Sequence, residues 1–132
     1  MIDPYAFHLA VQCVQKGDPR YAFNAYAFLC EALEFTTKDL GRADQESRHV
    51  TGQEFMAGFR KFALQEFGPL AWLVMKEWGI NTSEDVGNMV YNLINVRYFG
   101  RNETDRIEDF SDGISLIDEL TKPYARYRKS TK

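Results

Sequence analysis

The stretch from Arg48 to Ile80, RHVTGQEFMAGFRKFALQEFGPLAWLVMKEWGI, limits this chain more than any other. Thr51 and Glu54 have the Thr-x-x-Glu spacing of a capping box, in which a hydroxyl and a carboxylate each satisfy a backbone donor at a helix start. Phe55, Phe59, Phe62, Ala63 and Phe67 follow at helical spacing and predict one broad apolar face. Gly68 can end that helix and Pro69 suits the opening of the next. The second helix carries Leu70, Trp72, Val74, Met75 and Trp78 and should close at Gly79. Two adjacent helices with this much aromatic surface predict the centre of a core.

The rest of the chain reads as helices around that pair. Asp3-Pro4 and Asp18-Pro19 both look like helix starts, an acceptor at the cap followed by a proline whose missing N–H costs nothing. The first helix should bury Phe7, Ala10, Val11 and Val14 and stop near Gly17. The second should run from about Pro19 to Leu40, with Ala22, Ala25, Tyr26, Leu29, Ala32 and Leu33 inward. Phe23, Phe28 and Cys30 widen its apolar arc, and its small alanines let a neighbouring helix come close. Residues 41–49 are a polar loop. Thr82 and Asp85 form a second capping pair for a helix over about 83–98, with Val86, Met89, Val90, Leu93 and Ile94 inward and Gly100 as its stop.

Two readings of the next segment stay open. Asn102 can cap a helical turn, or Ile107–Phe110 and Ile114–Ile117 can form short strands around Ser111-Asp112-Gly113. The expected fold is mainly α, a single domain of about five helices over residues 1–122. A small C-terminal β-hairpin would give it a winged-helix-like second half. Residues 123–132 read as a basic, frayed tail.

At 132 residues, 45% hydrophobic and 27% charged, the chain has the balance of one globular domain. A chain near this size buries roughly two thirds of its unfolded surface, so it needs no metal or disulfide to hold a core. Cys13 and Cys30 are expected as buried, reduced thiols. The opening MIDPYAFHL lacks a basic segment followed by an apolar run, and no window approaches the ~18 apolar residues of a membrane helix. A soluble cytoplasmic chain is expected, with no membrane contact.

One resemblance can be drawn from particular residues. His49-Val50-Thr51-Gly52-Gln53-Glu54, Gly58-Phe59-Arg60, Ala63-Leu64, Phe67-Gly68-Pro69 and Trp78-Gly79-Ile80, with Glu84-Asp85, Gly87 and Asn92-Leu93, are similar to a family of small bacterial proteins of unknown function, catalogued mainly from planctomycetes and verrucomicrobia. It covers roughly residues 21–117 and departs at Arg97-Tyr98-Phe99, where members tend to carry Gly-Leu-Leu, and again over Ile114 to Leu120. The resemblance implies a bacterial cytoplasmic setting and brings no activity, substrate or cofactor.

Few residues point to chemistry. His49 beside Gln53 and Glu54 could act as a general base, but a loop histidine bonded locally is the plainer reading, and His8 is the only other histidine. The acids Glu103, Asp105, Glu108, Asp109 and Asp112 match no calcium loop in spacing or glycine position. Nucleophile-elbow, phosphate-loop and dinucleotide motifs are absent, and no cofactor or metal is expected. Residues 69–118 have the element order of a winged helix, yet the would-be recognition helix carries Glu84 and Asp85, which repel phosphates.

Charge is uneven. Net charge is -3, while the last twelve residues hold five bases, Lys122, Arg126, Arg128, Lys129 and Lys132, and no acid, interleaved with Tyr124 and Tyr127 as in nucleic-acid-binding segments. The leading expectation is a non-enzymatic protein–protein interaction module, with a protein partner or a second copy of itself. Candidate contact residues are Arg48, His49, Gln53, Arg126, Arg128 and Lys129. Winged-helix or tail-mediated nucleic-acid binding, and an enzyme using His49, are the alternatives.

Overall fold

A computed structural model describes residues 4–42, 50–99 and 115–124. Its order is α1 (Pro4–Gly17), α2 (Phe23–Asp39), α3 (Gly52–Phe67), a 3₁₀ turn (Gly68–Leu70), α4 (Ala71–Glu77), α5 (Ser83–Asn95), α6 (Leu116–Thr121) and a second 3₁₀ turn (Lys122–Tyr124). The fold is mainly helical, and no strand occurs among the described residues. Leu116 and Ile117 open α6 rather than extend a strand, because the Ser115 hydroxyl accepts the Asp118 N–H and caps a helix there. Ser115 also makes an isolated antiparallel bridge to Thr82. Residues 107–114, the rest of the expected hairpin, lie outside the described residues.

The middle of the molecule is α2 laid against α3. Phe28 of α2 joins them: its ring stands edge-on to Phe59 at 5.2 Å and stacks on Phe62 at 5.1 Å. It also meets Phe67 and Trp78, so the expected aromatic centre forms around a residue of α2. Phe59 and Ala63 are fully buried, with Phe55 and Met56 close behind. The approach is close because Gly58 faces Thr36, where a methyl group would overlap the threonine side chain. Helices α4 and α6 pack on each other and on α3, and α1 lies on α5. Leu116 and Leu120 of α6 are fully buried.

Local chemistry fixes the helix ends. Both capping boxes form, Thr51 with Glu54 and Thr82 with Asp85. Three helices finish in Schellman motifs. In α2, the Gly41 and Arg42 N–H groups donate back to the Lys38 and Thr37 carbonyls. In α4, Gly79 and Ile80 donate to Lys76 and Met75; in α5, Arg97 and Tyr98 donate to Ile94 and Leu93. The turning residue has positive φ each time: 71° at Gly41, 91° at Gly79 and 62° at Arg97. Helix α5 therefore stops at Asn95, ahead of the expected Gly100, on an arginine in a conformation that favours glycine.

Two other expectations are corrected. Helix α2 starts at Phe23, not Pro19: the Asp18 carboxylate takes the Arg20 N–H and guanidinium instead of capping, and the Ala22 N–H donates to the Trp78 carbonyl, holding Ala22 extended. Cys13 is exposed, whereas Cys30 is buried. Helix α1 buries Phe7, Val11 and Val14, and Cys13 lies on the opposite side. Helix α4 turns Ala71 and Met75 inward, and Leu70, at the end of the 3₁₀ turn before it, is exposed. No helix among the described residues is long and apolar enough to cross a membrane.

Candidate functional site

Of the six candidate contact residues expected from sequence, Gln53 is the one described. It is exposed on the first turn of α3. Its neighbour Glu54 is committed to structure: its carboxylate accepts the Thr51 N–H at 3.0 Å and a two-point contact from Arg42 at 2.8 and 2.9 Å. The Arg42 guanidinium, followed by the Thr51 N–H, holds the Glu54 carboxyl down at about 2. A carboxylate so strongly held is a poor proton acceptor near neutral pH. Arg48, His49, Arg126, Arg128 and Lys129 lie outside the described residues, as do Glu103, Asp105, Glu108, Asp109 and Asp112.

The structure assembles a polar seam that sequence reading missed. It joins the α1–α2 corner, the start of α2 and one stripe of α5. The Tyr21 hydroxyl donates to Asp85 Oδ1 at 2.7 Å and accepts from Asn88 Nδ2 at 3.3 Å. Asn92 Nδ2 bridges Asp18 Oδ2 at 3.0 Å and the Tyr26 hydroxyl at 3.1 Å. Arg20 grips both Asp18 oxygens at 2.8 Å and lies over the Tyr21 ring, 5.1 Å from its centroid. Asp85 closes the seam, since its Oδ2 accepts the Asn81 and Thr82 N–H groups. Asp85, Asn88 and Asn92 stand at i, i+3 and i+7, a polar stripe readable on α5 once that helix is drawn.

The electrostatics of the seam point to structure. Burial, reinforced by the hydrogen bond to Asp85, pushes the Tyr21 phenol well above its ordinary value, and burial also raises Tyr26. Both phenols stay protonated across the neutral range. The Arg20 guanidinium holds the Asp18 carboxyl well below the usual carboxylate range. No buried side-chain nitrogen or oxygen among the described residues lacks a hydrogen-bond partner. A network with Asp18 paired to Arg20, the Asp85 carboxylate hydrogen-bonded and its phenols protonated braces the α1–α2 corner and α2 against α5. Among the described residues, no group of three or more His, Cys, Asp or Glu side chains could hold a metal ion.

The other conspicuous feature is apolar. Along α1, Tyr5, Leu9 and Cys13 recur at i, i+4 and i+8 on the side away from the core, with Tyr5 73% and Leu9 47% exposed. Phe23, at the start of α2 and 37% exposed, sets its ring against Phe7 and His8 of α1. A second exposed pair, Leu70 and Leu73, lies at the start of α4. No protein-family model, curated protein or solved structure matches this chain.

Proposed function

We propose that this protein is a non-enzymatic protein-binding module that uses the outer face of α1 to hold a protein partner or a second copy of itself. The supporting observation is the Tyr5–Leu9–Cys13 stripe on a helix whose one charged side chain is Lys16. Clustered apolar surface of this kind marks interaction sites. The polar seam supports the same reading, because its side chains are engaged in bracing the fold. A bacterial cytoplasmic setting belongs to the proposal through the resemblance of the His49–Glu54 run.

The test compares the full chain with Leu9→Asp in affinity capture and sedimentation velocity. The wild-type chain retains a protein, or a second copy, that Leu9→Asp releases, while urea melts agree within about 0.5 kcal/mol, as expected for an exposed site. Equal retention by both chains would refute the reading.

The five bases and absence of acids in residues 121–132 favour nucleic-acid binding as a second reading. Deleting residues 123–132 then abolishes DNA or RNA binding. Before deletion, binding weakens with salt with a slope of at most about four or five counterions. Salt-tolerant, sequence-specific binding that survives the deletion would contradict it.

A further inference from the structure

We draw no further inference here: the strongest candidate, the unpartnered apolar face of α1 around Leu9 and Cys13, belongs to the site already described, and nothing in the structure shows what covers it.

Discussion

Replacing Gly58 with alanine sets two opposing effects against each other. Helix propensity favours the change: alanine in a helix interior is better than glycine by about 1 kcal/mol. The packing opposes it. A Cβ at Gly58 would lie 2.8 Å from both Cβ and Cγ2 of Thr36, and nearer still to its Oγ1. Turning the threonine cannot relieve the overlap, since its Cβ is fixed by the α2 backbone. Its hydroxyl is also tied to the Ala32 carbonyl at 2.7 Å. The α2 and α3 backbones must therefore separate, which disturbs the Phe28 contacts with Phe59 and Phe62. Overpacking of this kind costs about 1–3 kcal/mol, and with backbone displacement the upper part of that range applies. The net expectation is a loss of about 1–2 kcal/mol, read from urea melts followed by circular dichroism. In a Thr36→Gly background the overlap is gone, so the double-mutant cycle should show a favourable coupling of about 1 kcal/mol or more. A stabilised Gly58→Ala protein with no coupling would show that the two helices do not approach so closely.

Two further perturbations address the core and the α3 cap. Phe59 is fully buried against Phe28 and Phe55, so Phe59→Ala should cost about 3–5 kcal/mol in the same melts; a loss below ~1 kcal/mol would place this residue outside the core. The Glu54 carboxyl is lowered in the folded chain from 4.5 to about 2, so its contribution is complete above pH ~4.5 and is lost as pH falls toward 2. Glu54→Gln should flatten the fall of the denaturation midpoint across that interval, and an unchanged acid limb would mean that the Arg42 contact does not form in solution.

What could be read from the sequence was what is decided within one helical turn. Thr51 with Glu54 and Thr82 with Asp85 are three residues apart, and their reciprocal bonds need nothing from the rest of the chain. The spacing of Phe55, Phe59 and Phe62 likewise declares an inward face. What escaped notice depends on distant partners. The Asp18 carboxylate had two uses open to it, and the choice was settled by Arg20 together with the Trp78 carbonyl, which draws Ala22 out of the helix. The seam couples residues 64 to 74 positions apart, so no local pattern announces it. Cys13 lies between Val11 and Val14 in sequence, which suggests burial, although around the helix it lies across α1 from Val11. The end of α5 carries no glycine signal, because Arg97 occupies the turning position. Of the expected contact residues, Gln53 is exposed beside a cap, while the α1 stripe emerges only once the buried side of that helix is known.

Helices α4 and α6, of seven and six residues, are shorter than the roughly 12–15 residues at which an isolated helix holds its own in water. Each is helical on condition that it is docked, α4 through Ala71 and Met75, α6 through Leu116 and Leu120. Their secondary structure is thus borrowed from α3, against which both pack. Whatever loosens the α3 surface is therefore expected to weaken both short helices, which also pack on each other.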